Sequence, residues 1–295
     1  EIPYAVIGRV IRDRNVVVTQ NGRKIANLPT RFLANAPIIP RRAIKPHMKK
    51  AKPKFELPKD LSATLLRLLS SPNIASKEWV FRQYDHEVGV RTVVKPGQGD
   101  AAVLKLLNGK FAAIKVDGNS KYCYLDPYQG GASCVAEACR NVVAVGAEPA
   151  AMLDHCQFGD PNNSEVFWAF SQTVKGIADA CRSFSLPCIG GKVSFYNEDK
   201  ETGNAIKPSP VIVVIGLIDK VDHITTAGLK NEGDAIIIVG STGLDMGGSE
   251  YYRTLGIYDG SPPSIDLDLE KKTMKAVVEC IKRGYVSSCH DCSSG

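Results

Sequence analysis

The sequence lacks a long apolar run, and no stretch approaches the roughly 20 apolar residues that span a bilayer. Its first residues, Glu1-Ile2-Pro3-Tyr4, have neither the basic start nor the apolar segment of a signal peptide, and no initiator Met precedes them. We therefore predict a cytoplasmic protein that does not cross a membrane. The missing Met further suggests a fragment or a processed chain.

The sequence also lacks the dense, even cysteine pattern of secreted disulfide scaffolds, because its nine cysteines are scattered over 295 residues. We expect mostly buried free thiols in a reducing compartment. The segment Cys289-His290-Asp291-Cys292 suggests zinc, but structural zinc sites space their paired ligands by two to four residues. A loop with incidental thiols is the better interpretation.

Two common catalytic signatures are absent. Neither a P-loop spacing nor a GxSxG elbow occurs, and His155 has no evident orienting partner, so no catalytic role is assigned to it. The run Gly190-Gly191-Lys192-Val193-Ser194 offers backbone N–H groups, a cation and a hydroxyl, which suit phosphate. By itself this run more often marks a tight turn.

The positive charge is concentrated near the start of the chain. Residues 1–60 carry 14 Lys or Arg and 4 Asp or Glu, whereas the whole chain has a net charge of +6. The excess centres on Arg41-Arg42 and Lys45–Lys54, where Pro46 and Pro53 break the segment and aromatic residues are scarce. This composition favours a solvated linker over a nucleic-acid surface.

Apolar periodicity and turn residues predict the elements. Residues 4–46 read as strands, with a run at 5–10 and a hairpin at Asn21-Gly22. Helical spacing predicts helices at 61–69, 130–145, 164–184, with Ser164 as N-cap, and 267–283. Further strands are expected at 101–107, 110–116, 149–158, 186–189, 211–218 and 234–239.

Acidic and amide residues stand at strand ends and on one helix face. Asp100 begins one predicted strand, Asp117 ends the next, and Asp154 closes another. Glu137 and Asn141 are four residues apart among small apolar residues, so they share a face of a buried helix. Converging oxygen ligands suit Mg²⁺ bridged to phosphates. Each residue alone could equally be a turn or solvated residue.

Several longer motifs occur in a specific order, and they cover nearly the whole chain: 115–127 (KVDGNSKYCYLDP), 130–141, 146–149 (GAEP), 158–161 (FGDP), 176–181, 191–198 (GKVSFYNE), 247–251 (GGSEY) and 290–291 (HD). In this order and spacing the chain resembles the synthase subunits of the phosphoribosylformylglycinamidine synthase family.

The resemblance implies a mixed α+β or α/β fold, with sheets flanked by helices. It predicts an N-terminal-type and a C-terminal-type domain as in aminoimidazole ribonucleotide synthetase, with N-terminal-type domains that pair into a shared barrel. Residues 1–46 would end a preceding first-half domain and 47–60 would be a basic linker. Residues 61–220 would be the second N-terminal-type, ATP-binding domain, and 230–295 would begin a truncated C-terminal-type domain.

The resemblance also implies a function. The family is a carbon–nitrogen ligase of purine biosynthesis that uses ATP and Mg²⁺ to convert formylglycinamide ribonucleotide to formylglycinamidine ribonucleotide with glutamine-derived ammonia. Expected partners are a glutaminase subunit, a small accessory subunit, the first half of the same subunit and, for this chain alone, a second copy. Because the family's catalytic histidines lie in that first half, this chain is predicted to be inactive alone.

Specific residues carry over from the family motifs. Asp154 and Gly191 match ATP-binding positions, and Ser194 matches a substrate-binding position. Lys192 stands where small members have a magnesium-binding Asn, so a metal at that point is left open. In long members, Mg²⁺ at a second ATP or ADP site is held at the positions of Asp100, Glu137, Asn141 and Asp291, and Ser293 matches a nucleotide contact.

Two other functions remain as alternatives. The chain could be another ATP-binding enzyme of the aminoimidazole ribonucleotide synthetase type, although Leu125-Asp126-Pro127 and the Gly-Lys-Val-Ser run at 191–194 argue against it. It could also be a non-catalytic nucleic-acid-binding module that uses the basic stretch 41–54. Strong salt dependence of nucleic-acid binding would support the latter.

Overall fold

The computed structural model describes residues 2–35, 37–47, 53 and 55–293. The chain divides into two compact units, residues 1–41 and 42–295. Six of the 14 residues of the predicted basic linker 47–60, at 48–52 and 54, lie outside the described residues. No described helix is both long and apolar enough to cross a membrane.

The first unit contains a β-hairpin followed by a short helix. Strands β1 (Asn15–Gln20) and β2 (Arg23–Pro29) pair antiparallel and precede helix α1 (Thr30–Ala34). The turn residues Asn21 and Gly22 have φ values of 50° and 76°, the left-handed conformation of a two-residue hairpin turn. This hairpin prediction is confirmed. The strand predicted at 5–10 is wrong, because those residues form no sheet and are exposed.

The second unit is built on a six-stranded mixed sheet with the strand order β3-β4-β5-β8-β6-β7. All neighbouring strands pair antiparallel except β6 and β7, which run parallel. The strands are β3 (Thr92–Val94), β4 (Ala102–Lys105), β5 (Phe111–Asp117), β6 (Glu148–Gln157), β7 (Cys188–Ser194) and β8 (Ser209–Ile218). Strands β3 and β7 are the two edge strands, and β7 includes the Gly190-Gly191 pair that resembles a turn in the sequence.

Helices cover one face of this sheet. The three long helices are α5 (Pro127–Ala144), α6 (Ser164–Phe184) and α8 (Leu267–Lys282). The second unit also contains four shorter helices: α2 (Leu61–Leu69), α3 (Glu78–Phe81), α4 (Ser120–Leu125) and α7 (Glu250–Thr254). Side chains alternate across each strand, so Met152, Ile212 and Val214 point to the helices and are fully buried. The predicted mixed architecture of sheets flanked by helices is confirmed, whereas barrel pairing stays a prediction.

Helix α5 is the central helix and is buried along most of its length. Asp126 caps its first turn by accepting a hydrogen bond from the Gln129 N–H, and Pro127 occupies the first turn, where no backbone donor is needed. Small residues let α6 approach closely, since a Cβ at Gly176 would lie 2.1 Å from the Tyr128 carbonyl oxygen. At the helix end, Gly146 has φ +94°, as expected for a glycine beyond a C-cap.

Two local predictions need correction. Asn163, not Ser164, caps α6, because its side chain accepts hydrogen bonds from the Glu165 and Val166 N–H groups. The strand predicted at 234–239 is also wrong: these residues form no ladder with the described chain, and Ile236, Ile237 and Ile238 are 75–82% exposed. An apolar β-branched run forms a strand only where a neighbouring strand pairs with it.

Candidate functional site

The first candidate site lies where β4 begins, β5 ends and one face of α5 meets the segment 289–293. Asp100 precedes β4, Asp117 ends β5, and Glu137 and Asn141 lie one helical turn apart on α5. The segment 289–293 brings Asp291 against them. The structure therefore gathers the predicted metal ligands Asp100, Glu137, Asn141 and Asp291 although they span 191 residues of sequence.

Hydrogen bonds hold Asp100 against the chain's last described residues. Its Oδ2 accepts a hydrogen bond from the Asp291 N–H at 2.8 Å, and its Oδ1 lies 2.6 Å from His290 Nδ1. Because Asp100 is buried while His290 remains half exposed, this pairing fixes residues 290–291 over the strand. Both carboxylate oxygens thus already have partners.

Arg140 occupies the centre of the cluster, and its role is not evident from the sequence motifs. Its Nε donates to Asp291 Oδ1 at 2.7 Å, and its Nη1 donates to Glu270 Oε2 at 3.0 Å. Burial alone would lower the pKa of Arg140, but the two carboxylates outweigh it and raise that pKa. The only sequence signal is its position three residues after Glu137, on the same helix face.

Asn141 links three acidic residues. Its Nδ2 lies 2.7 Å from the Glu137 carbonyl oxygen and 3.4 Å from both Asp117 Oδ2 and Asp291 Oδ2. The first contact is a good hydrogen bond and the other two are long. Asp117, a candidate from its strand-end position, therefore belongs to the same cluster.

The carboxylates in this cluster repel one another. Burial raises the pKa of Glu137 to about 7, and the Asp117 and Asp291 carboxylates add to this rise, while a hydrogen bond with the Ser293 side chain opposes it. Burial also raises the pKa of Asp117, although the nearby Lys115 ammonium acts in the opposite direction. A cation in this position would offset the crowded negative charge.

The oxygen donors fit Mg²⁺ in kind, since that ion takes carboxylate and amide oxygens. Among the residues that the structure describes, however, no set of three or more His, Cys, Asp or Glu side chains is arranged to hold a metal ion. Asp100 and Asp291 are engaged in the hydrogen bonds given above. A bound cation would therefore have to replace at least one of those hydrogen bonds.

The second candidate site is a strip along β6 and the edge strand β7. Asp154 lies directly opposite Gly191, and a Cβ at Gly191 would lie 2.3 Å from Asp154 Oδ1. Glycine is therefore required if the carboxylate is to occupy this position. Asp154 and Gly191, two of the three residues predicted to bind ATP or ADP, are therefore neighbours in space.

Lys192 and Ser194 belong to the same strip but alternate onto the opposite face of the sheet. Lys192 pairs with His155 and Ser194 with Gln157 in the parallel ladder. The Ser194 hydroxyl lies 3.3 Å from Asn197 Nδ2, and His155 Nε2 is buried without a hydrogen-bond partner in the described chain. The structure therefore brings Asp154 and Gly191 together but places Lys192 and Ser194 across the sheet from them.

Two family models match most of the second unit. The model described as AIR synthase related protein, N-terminal domain, matches residues 98–218, and the one described as AIR synthase related protein, C-terminal domain, matches residues 231–295. The first covers five of the six strands of the sheet, β4 to β8, together with helices α4 to α6. The second includes α7, α8 and the Asp291 segment.

The chain is also similar to long relatives over its full length. It is 48% identical over 298 residues to the phosphoribosylformylglycinamidine synthase subunit PurL of Methanothermobacter thermautotrophicus, covering all of this chain and 41% of that protein. For the Moorella thermoacetica protein of the same name, identity is 43%, with 98% of this chain and 40% of the relative covered. The chain thus spans about two-fifths of the length of these curated relatives.

Solved structures show the same similarity. A structure of PurLQS from Thermotoga maritima matches with a TM-score of 0.57 and 26% identity, over 75% of this chain and 34% of that one. T. maritima PurL complexed with ADP matches with a TM-score of 0.56 and 27% identity, with the same coverages.

Proposed function

The chain belongs to the AIR synthase related family and, within it, to the PurL type of phosphoribosylformylglycinamidine synthase subunit, and from this premise we propose that it carries nucleotide-binding parts of that ligase. The observation that carries the proposal is the convergence of Asp100, Glu137, Asn141 and Asp291 from three separate segments, since Glu137 and Asn141 share helix α5. The proposed reaction of the whole protein is ATP-dependent conversion of formylglycinamide ribonucleotide to formylglycinamidine ribonucleotide.

The acidic cluster is proposed to hold Mg²⁺ and a nucleoside diphosphate or triphosphate. Mg²⁺ supplies charge neutralisation for the phosphates. Asp100, Glu137, Asn141 and Asp291 would hold the ion, and Ser293, through its link to Glu137, lies beside the expected phosphates. Arg140 would keep Asp291 in place through its 2.7 Å contact.

The β6–β7 strip is proposed as the second nucleotide contact. Asp154 and Gly191 are assigned to ATP, Ser194 to the formylglycinamide ribonucleotide substrate, and Lys192 to phosphate as a direct cationic contact. Exposure of the edge strand supports this assignment, since most of β7 is open to a ligand. The residues come from both faces of the sheet, so ATP and substrate would have to meet at the open edge of β7 for a phosphoryl group to pass between them.

The partners of the whole protein are also proposals. The name of the T. maritima complex joins PurL with two further subunits, which supports a glutaminase and a small accessory subunit as partners of this chain. We place the protein in the cytoplasm, in agreement with its free thiols. Domain limits at 1–46, 47–60, 61–220 and 230–295 remain part of the same proposal.

Removal of a single ligand from the acidic cluster tests the main proposal. In thermal unfolding with Mg-ADP, we expect the unchanged chain to gain stability as ligand rises, because ligand binds only the folded state. Asp100→Ala and Glu137→Ala should each weaken the apparent affinity at least about tenfold, as loss of a metal-site group typically does.

The control is Asp219→Asn, which removes an exposed carboxylate whose Oδ1 lies 2.8 Å from Lys110 Nζ at the surface. Mg-ADP should raise the Tm of Asp219→Asn by as much as it raises the Tm of the unchanged chain. Comparing the Tm of each variant with and without Mg-ADP separates the effect of the substitution on binding from its effect on the stability of the free protein. An undiminished shift in both Asp100→Ala and Glu137→Ala would show that nucleotide does not bind at this cluster.

The sheet face opposite the helices provides a second test, of the predicted homodimer. Its side chains are largely apolar and only partly buried, and Val116 and Leu217 are 57% and 45% exposed. Burial of such a face in a second copy of the chain would remove apolar surface from water. We expect sedimentation to show a dimer that Leu217→Lys weakens while Leu244→Lys, at a residue that is 97% exposed on a loop, does not. A monomer at all concentrations would contradict the dimer.

A further inference from the structure

Two cysteine thiols flank the Asp154 carboxylate, one at each oxygen. Cys156 Sγ lies 3.4 Å from Asp154 Oδ2, and Cys188 Sγ lies 3.5 Å from Asp154 Oδ1. Cys156 follows Asp154 by two residues on β6 and so points to the same face, while Cys188 begins the neighbouring strand β7. Both distances are within the range of a hydrogen bond to sulfur.

The atoms around the Asp154 carboxylate restrict its position. The missing Cβ of Gly191 creates the space that Asp154 Oδ1 occupies, 2.3 Å from where that atom would stand. Cys188 Sγ also lies 3.4 Å from the Gly190 carbonyl oxygen, so its single proton can point to either acceptor. The two thiols and the Gly190-Gly191 backbone therefore surround one carboxylate.

The thiols are protonated donors at neutral pH. Burial, followed by the Asp154 carboxylate, raises the pKa of Cys156 to about 12. Burial and the same carboxylate also raise the pKa of Cys188, against an opposing effect of the Gly190 hydrogen bond. Because a thiol is a weak, single-proton donor, it orients the carboxylate while leaving acceptor capacity for a ligand.

The two cysteines differ in their access to solvent. Cys156 is only 2% exposed, whereas Cys188 is exposed on the edge strand. A reagent can therefore reach Cys188 but not Cys156. Any group added to Cys188 Sγ would stand beside Asp154 and Gly190, where the proposed function places ATP.

We infer that Cys156 and Cys188 are positioning residues for Asp154, and that covalent modification of Cys188 closes the ATP contact of the β6–β7 strip. The inference rests on the proposed nucleotide role of Asp154. It assigns a modification site to an exposed thiol that the proposed reaction itself does not use. Thiol-reactive electrophiles would thus compete with nucleotide at this strip.

The test is labelling of the 295-residue chain with N-ethylmaleimide, followed by mass spectrometry of the peptides. The Cys188 sulfur adds to the maleimide double bond, and the thiol proton ends on the neighbouring carbon. With Mg-ATP at about ten times its Kd, labelling at Cys188 should slow about tenfold, because mass action leaves few sites free. Cys280, which is also exposed but lies on α8, should label at an unchanged rate.

Protection should persist in Asp100→Ala, since the acidic cluster is a separate site. Chain labelled at Cys188 should lose Mg-ATP affinity at the strip. Cys188→Ser, which has no thiol, should not be labelled at this position. Equal labelling rates of Cys188 with and without bound Mg-ATP would overturn the proposal that thiol reagents and nucleotide compete at this strip.

A ligand-free measurement separates this inference from the proposed function. In Asp154→Asn the carboxylate that suppresses the thiolate is gone, so Cys188 should label faster at pH 8 while Cys280 does not change. An unchanged Cys188 rate would refute the thiol–carboxylate contact whether or not nucleotide binds. Faster Cys188 labelling without any Mg-ATP protection would instead contradict the ATP role of Asp154.

Discussion

Replacement of Glu250 by Ala is expected to lower the free energy of unfolding by about 3 kcal/mol, a value typical of removing one partner from a buried charge network. Glu250 begins α7 and its side chain is 6% exposed. Four donors contact its two oxygens at 2.6–2.9 Å: Ser71 Oγ, Asn73 Nδ2, Lys121 Nζ and Arg253 Nε.

The network explains why the effect should be large but not extreme. Removing the carboxylate leaves the buried Ser71 hydroxyl without this acceptor, whereas Asn73 is exposed and its amide can bond to water instead. The side chains of Lys121 and Arg253 are 30% and 37% exposed, so both can regain water. The expected loss therefore lies at the low end of the range for buried pairs.

Urea denaturation would measure the change, with Glu279→Ala as the matched control. Glu279 also pairs with an arginine, Arg283 at 2.7 Å, but both side chains are more than half exposed. Such a helix-surface pair contributes about 0.3–0.5 kcal/mol. If Glu250→Ala costs no more than Glu279→Ala, the network does not stabilise the fold.

The same network predicts an acid-sensitive stability. Burial alone would raise the pKa of Glu250, but hydrogen bonds from Lys121, Asn73, Arg253 and Ser71 outweigh it and lower the pKa far below the ordinary 4.5. A depressed pKa in the folded state contributes stability that is fully present above pH 4.5 and is lost as pH falls toward the folded value. Glu250→Gln should flatten this acid dependence, and an unchanged pH profile would exclude Glu250 as its source.

The second large effect is expected at Gly176, where Ala should destabilise the protein by about 2 kcal/mol or more, as overpacking does. Alanine gains about 1 kcal/mol over glycine in helix propensity. Against this, its Cβ would lie 2.1 Å from the Tyr128 carbonyl oxygen and 3.0 Å from the Ala132 nitrogen. Both are backbone atoms, so only a separation of α5 from α6 could relieve the overlap.

Gly243→Ala is the control for this prediction, because no atom lies within 4 Å of the Cβ it would add. Thermal denaturation should show a lower Tm for Gly176→Ala and little change for Gly243→Ala. A Tm equal to or above that of the unchanged chain would mean that helix propensity outweighs the close contact of α5 and α6.

Much of the second unit was predictable from local sequence patterns. The helix over 164–184 and the strand over 211–218 appear in the structure with bounds that differ by two residues or fewer, because long apolar periodicity and capping residues act locally. The helix over 267–283 likewise ends one residue early, at Lys282. The N-cap was predicted wrongly, because side-chain hydrogen bonds decide it and Asn163, not Ser164, makes them.

The residues of the acidic cluster were predictable from the sequence, but the hydrogen bonds that hold them in place were not. Family motifs and residue chemistry named Asp100, Glu137, Asn141 and Asp291, and the fold brings these four together. Arg140, which holds Asp291, lies inside the 130–141 motif without an assigned role, and the thiols beside Asp154 lie outside the motifs. Their roles depend on which carboxylate oxygen each one contacts in the folded protein, and residue spacing in the sequence does not reveal those contacts.

The sequence by itself determined the hairpin at Asn21-Gly22, the order of most helices and strands, and the family, since turn conformation, periodicity and motif order are all local in the chain. Only the tertiary structure decided that 234–239 forms no strand, that Gly190-Gly191 lies in an edge strand, and which donors surround Asp154 and Glu250. Strand pairing and buried hydrogen bonds join residues far apart in sequence, so folding must bring the partners together before either can form.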